Sequence, residues 1–465
     1  MNAEEMLEAY RRKELSPREA VSAFLERIDK INPSLNAVVT LNEEEALRRA
    51  EQAEKVYLEG GEEAGMIEGL PVAIKDNVFT RGMRTTFGSN LYRDFVPEED
   101  GILVERIKKE GGIILAKTNL PEFGLIPVTD GPLFGPCRNP WNIERTTGGS
   151  SGGSAAGVAA GLFPLAQGND GGGSIRIPCA LCGVFGLKPT FGRVPSYKHL
   201  PGWETLIHDG PITRRVRDAA LLLDVMAGFD LRDMHTLPDA GYSFLEALDG
   251  EVPPLKLAYS PDLGYVPAVD PEVRELTRRA AEVFEELGWP VEEVELDLPN
   301  LEGDLLVQVV VETVTANEER LEEWAETAFP LYLPFLDLAK AYKPQDVVRV
   351  QFRREELWER LTPVFRDYDL LICPTTAVPA FPLQPPGPLG PSVIDGKEVS
   401  PLAWMGFTFP FNFTGQPAAT VPCGLSSEGL PVGLQIVGRR LDEVGVLRAA
   451  AAFERARPWS FPDLG

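Results

Sequence analysis

The sequence predicts an α/β fold: one large, mixed, twisted sheet covered by helices on both faces. Three observations carry that expectation. Short, wholly apolar runs such as Ile113-Ile114-Leu115-Ala116 and Leu370-Leu371-Ile372-Cys373 have the length of buried strands. Helical stretches, some amphipathic and some apolar throughout, alternate with them along the chain, which is the pattern of layered α/β domains. A hydrophobic share of 44% against 25% charged, over 465 residues, is enough apolar surface for a sizeable core.

Ser16-Pro17-Arg18-Glu19 is a capping box with proline at the first helical position, opening a helix to about Asp29. A second charged helix is expected over about Glu43 to Leu58, so residues 1–65 form a helical lead-in. Gly69 to Asn77 contains a short buried strand ending on Lys75. An amphipathic helix is expected from Pro97 to Gly111, a strand at Ile113–Ala116, a small-residue helix at Ser154–Gly161 and a buried helix at Asp218–Ala227. These belong to a core of about residues 66–240. From about 241 to 366 long charged helices (Pro271–Leu287, Leu301–Phe329, Pro344–Tyr368) and strands at Leu255–Tyr259 and Val291–Leu296 suggest a variable cap. Core strands return at Leu370–Cys373, Ala419–Cys423 and Val432–Val437, with a proline-rich loop at Leu383–Pro391, so residues 1–465 are expected to be a single domain.

A formal net charge of −25 argues against a nucleic-acid partner, which needs basic footprints. No run approaches the roughly 20 apolar residues of a membrane helix. The charged N-terminus lacks the apolar core of a signal peptide, so a cytoplasmic location is expected. Cys137, Cys179, Cys182, Cys373 and Cys423 are scattered and odd in number, which fits buried thiols better than a disulfide framework or a zinc ribbon. Plentiful Glu, Arg and Pro with sparse Asn and Gln hint at a thermophile. Three isolated histidines and no clustered carboxylates give no ligand set, so no metal or organic cofactor is expected.

The chemistry concentrates between Thr146 and Pro178. Two serine clusters, Gly148-Gly149-Ser150-Ser151-Gly152-Gly153 and Gly171-Gly172-Gly173-Ser174, flank an apolar Ala/Val helix. A flexible Gly/Ser linker would not carry that helix. A Ser-His-Asp hydrolase would place the serine on a strand-to-helix elbow and its histidine late in the chain. Asn139-Pro140-Trp141-Asn142 reads instead as a turn, and His199, His208 and His235 all come early, as structural or surface residues. A lysine can act as the base instead if burial deprotonates it, and Lys75 sits at a strand end, where open sheets present ligands.

Gly148 to Ala156, Gly172-Gly173-Ser174-Ile175-Arg176-Ile177-Pro178, Lys75 in VAIKDN, Leu115 to Asn119 with Glu122-Phe123, Gly186 to Thr190 and Gly433 to Gly438 closely resemble the amidase signature family. The resemblance implies amide hydrolysis with Ser174 as nucleophile, Ser150 as a bridging serine on a cis peptide, and Lys75 as the terminal base. It further implies an oxyanion hole from the amides of Gly171, Gly172, Gly173 and Ser174, with Ser151, Asp170 and Arg176 in support. Asp170 and Arg176 are expected to pair, and Ser151 to cap the following helix. Gly171 stands where the family usually has a residue bearing a side chain. An alkaline pH optimum follows from a lysine base whose ordinary pKa is about 10.4.

Two branches of the resemblance remain open. One is a free-standing amidase acting on a small, neutral, apolar or aromatic amide. The other is the A subunit of the glutamyl-tRNA(Gln) amidotransferase, which frees ammonia from glutamine inside a complex. That branch resembles D-x-x-T-x-P-x-N where this chain has Met405 to Asn412, and methionine cannot hold an ammonium; Gln351-Phe352-Arg353-Arg354 is similar to its Q-x-x-R run. Ile177 replaces the arginine with which some members hold a carboxylate. The free amidase is therefore favoured, with Phe123, Leu125, Thr129, Met405 and Phe411 as candidate pocket residues and self-association into a homodimer left open.

Overall fold

The computed structural model describes residues 1–197, 205–250, 252–383 and 389–465. His199 and the middle of the proline-rich loop lie outside the described residues. Eleven strands form one mixed sheet: β1 (Val38–Leu41), β2 (Pro71–Lys75), β3 (Ile113–Thr118), β4 (Leu165–Asp170), β5 (Phe185–Lys188), β6 (His208–Thr213), β7 (Leu257–Tyr259), β8 (Val291–Glu293), β9 (Leu370–Pro374), β10 (Ala418–Leu425) and β11 (Pro431–Gly438). Their spatial order is β1-β3-β2-β4-β6-β5-β10-β11-β9-β7-β8. Strands β7 and β8 come from the middle segment, so that segment extends the sheet as well as adding helices over it.

Both faces are covered. Helices Val216–Met226, Pro271–Glu286 and Glu443–Ala456 bury one apolar cluster, with Leu222, Phe284 and Leu447 almost free of solvent. Helices Pro17–Leu35, Glu43–Leu58 and Gly152–Ala159 bury the other, around Leu115, Ala156 and Phe163. All five cysteines are free thiols. No helix among the described residues is long and apolar enough to cross a membrane.

Several boundaries differ from the sequence expectation, each for a local reason. The helix expected from Pro97 starts at Ile102, because Gly101 takes an extended conformation at the cap. The helix expected over Leu301–Phe329 breaks at Asn317, whose φ of −116° and ψ of 17° end Glu302–Ala316 before a shorter helix at Leu321–Thr327. The last long helix of the middle segment stops at Leu361, and only Val364–Asp367 resumes it after Pro363.

The sheet topology fixes where chemistry can occur. Parallel neighbours β2 and β4 bring their C-terminal ends, Lys75 and Asn169-Asp170, to the same edge. Antiparallel β6 then sets Asp209 opposite Asn169 and His208 opposite Asp170. Open α/β sheets bind ligands in the crevice beyond such carboxyl ends.

Candidate active site

Lys75 is the last residue of β2 and is wholly buried. Its ammonium nitrogen lies 2.7 Å from Ser150 Oγ and 2.6 Å from Asn169 Oδ1. Three lysines are completely buried among the described residues, and their partners separate them. Lys117 Nζ contacts Val78 O and Thr80 Oγ1, and Lys188 Nζ contacts the carbonyls of Gln416 and Pro189. Lys75 alone of the three meets a serine hydroxyl. Burial pushes its pKa down to about 7, although Asp170 and Asp209 pull it back up. An amine so placed is partly neutral near pH 7 and can accept a proton.

Ser150 follows a cis peptide bond from Gly149. Its loop is tied from behind by Thr129, whose N–H and Oγ1 both donate to Gly148 O while Oγ1 accepts from the N–H of Gly152. Thr129, expected to line the pocket, uses its hydroxyl here to donate to and accept from the serine loop. Ser151 differs too. It occupies the cap position of Gly152–Ala159 but makes no side-chain cap bond. Its Oγ instead meets the backbone of Asn169, and its N–H donates to Ser174 O at 3.1 Å. The two serine clusters are thus tied by their backbones.

Ser174 begins the turn after β4 and opens on the cavity that Ser150 also lines, together with Asn169, Asp209 and Gly171. The loop Gly171–Ser174 is shaped by the Asp170–Arg176 pair. Arg176 lies fully buried and donates through Nε and Nη2 to the two carboxylate oxygens of Asp170, both at 2.9 Å. Its remaining donors go to Thr408 O, Gln435 Oε1 and Asn412 Oδ1 at 2.6–2.8 Å. Burial alone would raise the Asp170 carboxyl, but Arg176, Lys188 and Asn412 together hold it well below the usual carboxylate range.

Asp170 Oδ1 also accepts the N–H of Gly173 at 2.7 Å. The amide of Gly173, expected in the oxyanion hole, is thus taken by Asp170. The N–H groups of Gly171, Gly172 and Ser174 carry no hydrogen bond among the described residues. Gly173 is required for another reason. At φ +133° a Cβ there would stand 2.3 Å from Thr408 Oγ1. Gly173→Ala is therefore expected to move the loop and cost roughly a hundredfold in kcat, the scale of one displaced oxyanion donor, measured by steady-state turnover.

The cavity walls come from distant segments: Val78, Phe87, Ile102, Leu103 and Ile207 are apolar, and Phe123 is the one lining candidate from the sequence that faces it. Phe87 and Phe123 both have φ of 54°, an uncommon left-handed conformation for aromatic residues, and Phe123 N–H donates to Phe87 O at 2.7 Å. Trp324 packs edge-on against Phe123 with centroids 5.0 Å apart. Leu125 packs into the neighbouring apolar clusters, Phe411 is wholly within the core, and Met405 lies behind Gly172, its Cε 3.6 Å from where a Cβ would stand. All three were expected to line the pocket, and each makes these packing contacts. Arg354 of the QFRR run donates to Phe413 O and Thr205 Oγ1, a structural use.

Asn169, Asp209, Asn77 and Gln167 were not singled out in the sequence. Asn169 Nδ2 donates to Asn77 Oδ1, while Gln167 accepts from Lys75 N–H and donates to Asp209, so together they hold the lysine. The polar run Gln167-Gly168-Asn169-Asp170 was the available signal. His208 is buried, donates through Nδ1 to Leu206 O and packs edge-on against Phe191. Among the described residues no three His, Cys, Asp or Glu side chains are grouped to hold a metal ion.

The family model described as Amidase matches residues 19–447. The chain belongs to the amidase family. This amidase is 40% identical to an acylamidase of Rhodococcus erythropolis, over 99% of its own length and 96% of that protein. It is 38% identical to the glutamyl-tRNA(Gln) amidotransferase A subunit of Thermus thermophilus, over 98% and 97% of the two chains. A crystal structure of a bacterial aryl acylamidase of the amidase signature enzymes superposes with a TM-score of 0.92 at 35% identity, covering 99% of this chain and 96% of that one. The family, the fold and the relatives together make this amidase an amide-hydrolysing enzyme.

Proposed function

We propose that this amidase cleaves small, neutral amides with an apolar or aromatic substituent, through an acyl-enzyme on Ser174. The observation that carries the proposal is the buried Lys75 Nζ at 2.7 Å from the Oγ of Ser150, a residue that lines the same cavity as Ser174. Neutral Lys75 takes the proton of Ser150, and Ser150 takes that of Ser174, because a hydroxyl both donates and accepts. Ser174 Oγ attacks the carbonyl carbon, and the oxyanion meets the free amides of Gly171, Gly172 and Ser174. The C–N bond breaks as the proton returns along the relay to the leaving nitrogen. Water then repeats the attack on the ester, giving the acid and restoring Ser174.

Substrate charge is argued from the lining. Among the described residues the cavity is walled by no lysine or arginine head group, and Asp209 is its one carboxylate. Glutamine would need countercharges for both its ammonium and its carboxylate. An acylamidase-like activity by the free chain fits this wall better than the glutaminase role of the amidotransferase subunits. Benzamide and aliphatic amides assayed against glutamine with purified protein test it; hydrolysis of glutamine alone would reverse the reading.

The pH profile is a second test. With Lys75 as the base and its pKa near 7, log kcat/KM is expected to rise with unit slope to about pH 7 and then level. The working range is thus neutral and above rather than strongly alkaline. Asp209 helps hold the lysine pKa up, so Asp209→Asn is expected to move the limb toward acid. A limb that stays in place in this variant counts against Lys75 as the titrating base.

A further inference from the structure

The cavity wall also holds two polar groups that the relay does not use. Thr313 lies in the last turn of the helix Glu302–Ala316 and Asn317 is its cap, one turn on. They are 4% and 5% exposed, and both line the same cavity as Ser150 and Ser174. Asn317 Nδ2 donates to Thr313 O at 2.9 Å. That bond fixes the amide, since the flipped form would set two oxygens against each other. Asn317 Oδ1 is left with no partner, and so is Thr313 Oγ1, among the described residues.

An unpaired buried acceptor is unfavourable because it has lost water without replacement. Two at one helix end, lining a cavity that Val78, Phe87, Leu103 and Phe123 also line, point to a ligand that pairs with them. We propose that Thr313 and Asn317 recognise a neutral hydrogen-bond donor, a hydroxyl or an N–H, on the part of the substrate remote from the scissile bond. This rests on the amidase reading of the same cavity and narrows it. Asn317 Oδ1 can only accept, so the substrate group must donate; Thr313 Oγ1 can accept a second hydrogen or donate one back. A distal carboxylate is disfavoured by Asn317 Oδ1.

The test compares kcat/KM for benzamide with that for its 3- and 4-hydroxy and 3- and 4-amino derivatives. The hydroxy and amino arms separate the two kinds of donor. The wild-type enzyme is expected to prefer at least one derivative by about tenfold or more over benzamide, the scale of one hydrogen bond to a buried group otherwise left unpaired. In Asn317→Leu and Thr313→Val that ratio is expected to fall toward one, chiefly through KM, whereas Thr313→Ser, which keeps the hydroxyl, retains it. A merely structural role would lower all substrates together and leave the ratio unchanged. Equal rates on benzamide and every derivative in the wild type, or an unchanged ratio in both Asn317→Leu and Thr313→Val, would overturn the proposal. Either result leaves the amidase reading standing. That reading instead falls if Ser174→Ala matches the wild type on benzamide.

Discussion

Alanine at position 174 is expected to lower kcat for amide hydrolysis by about four to six orders of magnitude, with the fold and thermal stability unchanged. The scale is that of removing a single member from serine-based hydrolytic machinery in general, where the parts act as a unit. Ser174 is tied into its loop through its backbone, its carbonyl accepting the N–H of Ser151. Losing the hydroxyl removes the atom proposed to attack and leaves that tie in place. The free amides of Gly171, Gly172 and Ser174 remain to bind a carbonyl oxygen, so KM should change little. Lys75→Arg should be nearly as damaging, since a guanidinium stays protonated and cannot receive the proton of Ser150. Steady-state kinetics with circular dichroism on the same samples decides the matter. A Ser174→Ala enzyme retaining a tenth of its rate would sink the nucleophile assignment.

How far the sequence disclosed this site depended on the kind of signal each part carries. The outer frame was legible, because β2, β3, β9 and β11 are apolar runs and Ser16 to Glu19 is a capping box with all its parts in a row. The middle of the sheet was not. Strands β4, β5 and β6 read Leu-Ala-Gln-Gly-Asn-Asp, Phe-Gly-Leu-Lys and His-Asp-Gly-Pro-Ile-Thr, rich in residues depleted from strands. They are strands because wholly buried neighbours on both sides pair with them, an override that no local window contains. The serine clusters and Lys75 stood out through motif resemblance, yet Asn169 and Asp209 emerge only when β6 is laid antiparallel on β4. The pocket walls were the least legible. An apolar residue beside a signature motif is equally suited to core and cavity, and side-chain direction decides. Phe123 turns into the cavity on a left-handed backbone, whereas Phe411 turns into the core.

Arg176→Met carries the largest expected effect on stability, about 3–5 kcal/mol, read as a shift in denaturant midpoint. The reason is what it strands. Asp170 receives two bonds from Arg176 and others from the N–H groups of Gly173 and Ile175 and from Asn412 Nδ2. Without the guanidinium, a fully buried carboxylate loses its ion-pair partner, and a loss of that size is a large fraction of the roughly 5–15 kcal/mol that holds a domain together. The pH dependence has a defined sign. In the wild type the Asp170 carboxyl sits below its ordinary value, so its ionisation stabilises the fold above an unfolded pKa of about 3.9 and that contribution is lost as pH falls through the folded value. In Arg176→Met burial is opposed by less and the folded carboxyl titrates higher, so acidification toward pH 4 neutralises the stranded charge. The gap between variant and wild type should therefore be widest at neutral pH and narrow on acidification. Adding Asp170→Asn removes the same charge by mutation, and the double variant is expected to recover part of the loss at pH 7. A gap independent of pH, with no recovery in the double variant, would mean that Arg176 acts through packing and its bonds to Thr408, Gln435 and Asn412 rather than through the charge of Asp170.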